Sequence, residues 1–381
     1  MPPIRFVHTS DVHLDTSFSG TGLPSRLGCR KREAIRGTFR RILRDAVERG
    51  ADLVLVAGDL FEHERVTPDT IEFLKQQFEA LASIPVLIAP GNHDPYVYGS
   101  PYQEERWPSN VHIFHEEDFS SVEFPGLGAR VTGFAFNRSQ LNENYFRRLP
   151  VLPGGLCNLV LAHGSDTAGV PPGKTAHGPL TIAEIARKNI QYCALGHYHQ
   201  QRPVNNPIDN TEVWYSGIPE GRGWDEEGEG AYLWGDIDSG TVRVSRVACS
   251  QYPFRTVAVD CEGLSSREQI VATLHSQHEA ALDPRTLLRV ILEGSPDPRL
   301  DLSLAEIGER LADEVLHLQI EDRTLPAIDF DALAMDNTLQ GRFVQEMNRR
   351  IAATEGEERE ILILARRYGA QALLGREVRL R

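Results

Sequence analysis

Cysteine is scarce in this chain of 381 residues: there are five, at positions 29, 157, 193, 249 and 261, with no close pair. An odd, scattered set excludes a disulfide framework and a zinc ribbon as the organising device. Lysine is scarcer: only four of the 40 basic residues are lysines and the rest are arginines. No run of about 18 or more apolar residues occurs, which excludes a helical membrane span. Residues 1–6 carry neither the basic nor the apolar region of a secretion signal, so the expected location is the cytoplasm. Positive charge is also in deficit, with 54 acidic residues and a formal charge of −14. A surface coated in cations for nucleic acid is therefore excluded. Local basic stripes, or an acidic cluster that gathers divalent cations, are not.

What is present is ordinary for a folded chain with a sizeable core, at 41% hydrophobic and 25% charged residues. The length suits two or three units. Short β-rich runs at 4–8, 53–57, 86–89, 158–162 and 192–195 mostly lead straight into Gly, Asn, Asp or His, as strands ending in loops do. Ile35, Phe39, Ile42 and Ala46 recur at helical spacing and predict a helix over 30–49. Thr67 as N-cap and Pro68 in the first turn predict another over 68–82. Alternating strands and helices indicate an α/β architecture for residues 1–253. From 254 the pattern becomes a small βαβαβ unit, 254–322, with strands at 256–260, 287–292 and 316–320. Residues 323–381 read as a linker (323–337) followed by helices at 338–353 and 357–374.

Five polar clusters follow the apolar runs: Asp11 with His13, Gly58-Asp59, Gly91-Asn92-His93-Asp94, His163-Gly164, and Gly196-His197-Tyr198-His199. In open α/β sheets ligands collect at the carboxyl ends of strands, so residues 188 positions apart are expected to meet in one cleft. Imidazole, carboxylate and amide donors without thiolate suit divalent ions of intermediate softness. Two ions about 3.5–4 Å apart need a ligand with two donor atoms, and Asp59 is the natural bridge. With Asp11 and Asp59 as its only anionic ligands, such a pair keeps a charge near +2, which attracts phosphate and acidifies a water. A neutral Asn92 preserves that surplus.

In this order and without a gap, the clusters resemble the calcineurin-like metallophosphoesterase family. The resemblance implies an α/β (α+β) fold, a four-layer β-sandwich flanked by helices. It implies that Asp11, His13, Asp59 and His199 hold one metal, and that Asp59, Asn92, His163 and His197 hold the other. His93 would assist the leaving oxygen, with neighbouring Asp94 orienting it. The stretches 8–14, 56–61 and 215–220 are similar to SbcD/YhaO-type DNA repair exonucleases, and residues 365–378 resemble the YhaO branch. That likeness implies hydrolysis of DNA phosphodiesters by an activated hydroxide. It also implies two divalent ions, manganese before iron or zinc, and a capping domain at 254–322. Glu62-His63 departs from the Asp found there in many relatives. His8, inside the first strand, is expected either to pack or to stand behind a ligand, and His63, His112, His115, His177, His275, His278 and His317 lack such context and are left out of the site.

Support for DNA from the residues themselves is open to two readings. Nine basic residues lie between 26 and 49, and Arg36, Arg40 and Arg44 form a stripe that is either a solvated face or a track for a duplex backbone. Tyr96, Tyr98, Tyr102 and Trp107 either stack on unpaired bases or pack their own loop. Leu339, Phe343, Met347 and Ile351 form an apolar stripe that either docks a coiled-coil ATPase, as the family implies, or packs on the chain's own cap. A homodimer is expected from the resemblance alone. Two other functions stay open at this point. One is a phosphatase or phosphodiesterase for small nucleotides or phosphoproteins; the other is a non-catalytic DNA-end-binding subunit of an ATPase complex.

Overall fold

The computed structural model describes residues 3–19, 21–170, 176–297, 299–325, 328–375 and 378. They divide into two compact units: residues up to 255 together with 285–287, and 256–284 together with residues from 288 onward.

The first unit contains β1 (Ile4–Thr9), β2 (Leu53–Val56), β3 (Val86–Ile88), β4 (Val111–Ile113), β5 (Ser120–Phe124), β6 (Ala129–Gly133), β7 (Cys157–His163), β8 (Tyr192–Gly196), β9 (Arg202–Pro203), β10 (Glu212–Tyr215), β11 (Ala231–Asp238) and β12 (Thr241–Ala248). Its helices are α1 (Ser25–Arg49), α2 (Pro68–Glu79), α3 (Pro101–Glu104) and α4 (Ile182–Ile185). One sheet runs β12-β11-β1-β2-β3-β4 and the other β5-β6-β7-β8-β10-β9. Strands β1 to β4 are parallel, with Phe6 opposite Leu53 and Val54 opposite Val86, while β11 closes on β1 antiparallel. Strands β6, β7, β8 and β10 are also parallel.

Unbroken apolar strands such as Leu53-Val54-Leu55-Val56 are what a sheet buried on both faces needs. Val54 and Val56 pack with Ile35, Phe39 and Leu74 under α1 and α2. Leu53 and Leu55 face the other way, against Leu159, Leu161 and Tyr192 of the second sheet. Across that interface the rings of Phe6 and Tyr192 lie 4.6 Å apart. Phe134, Phe136, Tyr145 and Phe146 pack with Leu195 on the second sheet. The fold is thus a mixed α/β sandwich, with one departure from expectation. The layer over the second sheet is loop, a 3-10 turn at Tyr145–Arg148 and the four-residue α4, in place of full flanking helices.

Helix α1 starts five residues before its predicted start, because Gly28 and Lys31 extend the buried stripe through Ile35, Phe39 and Ile42. It ends at Gly50, whose φ of 69° provides the left-handed cap. Helix α2 has the expected start: Thr67 Oγ1 accepts from the Thr70 N–H at 3.3 Å.

The second unit strings together β13 (Phe254–Asp260), α5 (Arg267–His278), β14 (Leu287–Glu293), α6 (Leu304–Leu311) and β15 (His317–Asp322), with sheet order β13-β14-β15. Val259, Ile270, Leu274, Val290, Ile307 and Leu311 form its core. Then come α7 (Phe330–Met335), α8 (Leu339–Ala352) and α9 (Gly356–Leu373). Helix α7 lies inside the stretch expected to be a linker, and Asp329 caps it by accepting from the Ala332 N–H at 2.8 Å. The predicted apolar stripe holds at Met347 and Ile351, but Leu339 is 68% exposed and Val344 is buried instead. Arg367 of α9 reaches Glu262 at 2.8 Å and also bonds Ser295, so α9 packs on its own unit. Arg376 and Glu377 lie outside the described residues.

Candidate metal centre

Parallel register aligns the carboxyl ends of β1, β2 and β3, and likewise those of β7 and β8. The loops leaving these ends are laced together by main-chain bonds. The Asp11 N–H donates to the Gly58 carbonyl at 3.0 Å, and the His13 N–H donates to that of Asp59 at 2.9 Å. The His93 N–H donates to Asp59 Oδ1 at 2.9 Å, and the His197 N–H to Asp11 Oδ2 at 3.1 Å. Among the described residues, four of the nine non-glycine residues with positive φ are Asp11, His13, Asp59 and His197. Each such conformation costs free energy, and surroundings that over-determine it are a mark of a functional site. Space is tight enough that a Cβ at Gly91 would collide with Asp59 Oδ1, and one at Gly196 with the Ala57 carbonyl oxygen.

All seven candidate ligands come together. Asp59 Oδ2 lies 3.8 Å from His13 Nε2 and 3.4 Å from His163 Nε2. Asp11 Oδ1 is 3.7 Å from His199 Nε2. Asn92 Oδ1 stands 3.0 Å from His163 Nε2 and 3.2 Å from His197 Nδ1. Asp11, His13, Asp59 and His163 are fully or almost fully buried.

The donors fit divalent cations. His13 Nδ1 is held by Glu62 Oε1 at 2.8 Å, yet its Nε2 is buried with no hydrogen-bond partner. A buried, unpartnered nitrogen beside a buried carboxylate is a costly arrangement that a cation relieves. Burial pushes the pKa of His13 down and that of His197 down to about 3, keeping both rings in the neutral form that coordinates metal. Burial alone would raise Asp59. The imidazoles of His163 and His93 and the hydrogen bond from the His93 N–H outweigh it and hold Asp59 well below the usual carboxylate range.

His93 sits at the rim, with its side chain 44% exposed. Its Nδ1 lies 2.9 Å from Glu62 Oε2, and this hydrogen bond pushes the imidazole up to about 9. Glu62, not Asp94, is therefore the carboxylate that holds the His93 ring. Asp94 is wholly buried, and its oxygens accept from the main-chain N–H groups of Asp59, Leu60 and Gly91 and from the Tyr102 hydroxyl, at 2.7–2.9 Å. The expectation that Asp94 orients His93 is corrected accordingly: Asp94 ties the β2 and β3 loops together.

Two further residues carry no signal in the sequence. Glu226 Oε1 lies 2.7 Å from His199 Nδ1. Arg222 grips Glu226 (Nη2 to Oε1 2.6 Å) and reaches to 3.8 Å from Glu62. Neither belongs to a recognisable motif. His8 is a core residue as expected, bonded to Tyr192 Oη at 2.8 Å. His177, left out of the candidate site, places its ring 5.6 Å from that of His197. Beside the centre an open cleft of about 800 Å³ is lined by Asn92, His93, Glu62, Arg138 and His177 among others.

Buried carboxylates, imidazoles and an amide that meet at one point, with a further imidazole at a cleft rim, are a donor set suited to divalent cations. The chain belongs to the calcineurin-like phosphoesterase family, whose model matches residues 4–201. It is 27% identical over 341 residues to the uncharacterized metallophosphoesterase YhaO of Bacillus subtilis, a match covering 84% of this chain and 82% of that protein. It is 23% identical over 247 residues to the SbcD component of the SbcCD nuclease of Staphylococcus epidermidis, covering 56% of this chain and 60% of that one. It is 30% identical over 235 residues to the DNA double-strand break repair protein Mre11 of Methanopyrus kandleri, covering 57% and 49%.

Proposed function

We propose that this chain is a two-metal DNA phosphodiesterase of the repair-exonuclease type, using Mn²⁺ ahead of Fe²⁺ or Zn²⁺. The observation that carries the metal reading is the convergence of seven donors on one spot, among them the unpartnered Nε2 of His13. Asp11, His13, Asp59 and His199 would hold one ion, and Asp59, Asn92, His163 and His197 the other. When bound, such a pair supplies charge neutralisation at phosphorus and an acidified water. The chain's own residues do the rest. His93, protonated and at the mouth of the cleft, donates a proton to the departing ester oxygen. Glu62 fixes the orientation of its ring. The open cleft gives a polymer room to lie across the centre.

The DNA reading rests on the nuclease relatives more than on surface charge. Along α1, Lys31 is buried against Glu220, and Arg36 is bonded to Asp69 and Thr70. Arg44 pairs with Glu48, while Arg32, Arg40 and Arg41 stay exposed for a phosphate backbone. Around the aromatic loop, Tyr102 is buried and Trp107 packs on it, while Tyr98 is 92% exposed. As partners we propose DNA, a second copy of the chain, and a coiled-coil ATPase docking on the C-terminal helices, where Met335, Leu339 and Ile361 are exposed. No helix among the described residues is long and apolar enough to cross a membrane, and a cytoplasmic location is part of the proposal.

The test is purified chain with Mn²⁺ on linear DNA, with and without chelator. Loss of DNA length, abolished by chelator, is the expected result. Hydrolysis of a small phosphomonoester with DNA left intact would replace the substrate. DNA binding without cleavage across Mn²⁺, Fe²⁺, Zn²⁺ and Mg²⁺ would overturn the enzymatic reading.

A further inference from the structure

The two halves of the centre are backed by different chemistry. On one side, the outward nitrogens of His13 and His199 each meet a carboxylate: Glu62 Oε1 at 2.8 Å and Glu226 Oε1 at 2.7 Å. On the other side, His163 Nδ1 donates to a neutral acceptor, the Ala57 carbonyl oxygen, at 2.8 Å. The His197 nitrogen that faces the centre is Nδ1, 3.2 Å from the fellow ligand Asn92 Oδ1. A carboxylate behind an imidazole fixes the tautomer with its proton outward and raises the basicity of the inward nitrogen, whereas a carbonyl does so more weakly. The ionic donors are split the same way. Asp11 belongs to the first half, Asp59 lies between the two, and the second half adds only the neutral Asn92.

Arg222 makes this arrangement tenable. Two extra carboxylates beside Asp11 and Asp59 would repel one another in a buried site. Arg222 lies between them, with its Nη2 on Glu226 at 2.6 Å, its Nη1 3.8 Å from Glu62, and its main-chain N–H on Glu226 Oε2 at 2.7 Å. The segment carrying it is itself anchored. Glu220, two residues earlier, is buried and accepts from Lys31, from Thr38 Oγ1 at 2.8 Å and from the Gln251 N–H at 2.5 Å.

We infer that Glu62, Arg222 and Glu226 are positioning residues that make the two cation sites unequal. The site of Asp11, His13 and His199 fills first and holds its ion tightly, and that of Asn92, His163 and His197 fills second and exchanges. This rests on the two-metal reading above and adds an order of loading. It places in the second, looser site the ion whose free concentration would switch the enzyme on.

The experiment is a titration of the metal-free full chain with Mn²⁺, followed by calorimetry and by low-temperature electron paramagnetic resonance. The expected result is two resolved steps. The first equivalent gives the hyperfine pattern of an isolated ion, and the second converts it to that of an exchange-coupled pair. Glu226→Gln should weaken the first step by about 10–100-fold, the usual cost of losing such a backing group, and move the second much less. Circular dichroism of that variant checks that it is folded. If it is not, the wild-type titration decides alone. A single step taking up two equivalents, with the coupled signal present from the first addition, would overturn the inference while leaving the two-metal reading intact. A Glu226→Gln effect confined to the second step would do the same. No binding of Mn²⁺ at all would remove both.

Discussion

Glu62 Oε2 stands 2.9 Å from His93 Nδ1, a charged pair at the edge of an otherwise buried centre. The pair makes stability depend on pH in a definite direction. His93 is raised from 6.5 to about 9, so its contribution is complete below about 6.5 and lost as pH rises through about 9. Glu62 is lowered, so its contribution is present above about 4.5 and lost toward acid. The metal-free protein should therefore lose thermal stability between about pH 6.5 and 9, and His93→Gln should flatten that slope. Melting curves at stepped pH in chelator test this. An unchanged slope in the variant would detach the effect from His93. Bound cations would lower the His93 pKa by repulsion, so the slope should shift to lower pH once Mn²⁺ is added.

His93 and Asp94 are neighbours in sequence with opposite expected consequences. His93→Ala removes a half-exposed ring and should leave the melting temperature of the metal-loaded protein nearly unchanged. Phosphodiester cleavage should fall about 10²–10⁴-fold, the usual worth of a proton donor. Asp94→Asn leaves buried donors among Asp59 N, Leu60 N, Gly91 N and Tyr102 Oη unpaired, at about 1–3 kcal/mol for each. Denaturant unfolding should show that loss directly. Burial, followed by the charge of Asp59, raises Asp94 from 3.8 to about 7. The native protein therefore gives up stability as pH rises through about 7, and the deficit of the variant should shrink over that range.

How far these roles could be read in advance follows from where the information lies. The candidate ligands were legible because each sits within a few residues of a β-strand's carboxyl end, and adjacent parallel strands must bring those ends together. Helix α2 was legible through Thr67 and Pro68, a local cap. The hairpin of β11 and β12 was not, although Ile4 pairs with Ile237. β12 alternates between exposed and half-buried residues and so lacks the continuous apolar run that marked the parallel strands. Glu226 was invisible for a different reason. One acidic residue in Asp225-Glu226-Glu227 looks like its neighbours until the fold places it behind His199. Asp94 misled because adjacency to His93 suggested contact, whereas its carboxylate points to the β2 loop.

Lys31 and Glu220 form a buried ion pair that joins α1 to the segment leading to Arg222, with Lys31 Nζ also 2.8 Å from the Tyr252 carbonyl oxygen. Burial depresses the Lys31 pKa and Glu220 counters it. Removing one partner leaves the other charged and unpaired, so Lys31→Met should cost about 3–5 kcal/mol. The double variant Lys31→Met with Glu220→Gln should cost less than the sum of the two single changes. Urea unfolding of the four proteins gives the coupling. Simple additivity would mean that the pair is not the unit holding the segment.

The arginines of α1 separate a folding role from a binding role on one helix. Arg36 bonds Asp69 and Thr70 and lies 3.5 Å from Asp15, so Arg36→Gln should lower stability and scarcely touch DNA affinity. Arg40 is exposed, with its guanidinium over the Phe73 ring at 5.3 Å and its charge free for a phosphate. If DNA tracks this helix, Arg40→Gln should weaken binding about equally for all sequences. It should also reduce the slope of log affinity against log salt by about 1. Fluorescence anisotropy of a labelled duplex across a salt series measures both. An unaltered slope for Arg40→Gln would move the DNA path off α1 and return its arginines to the role of a solvated face.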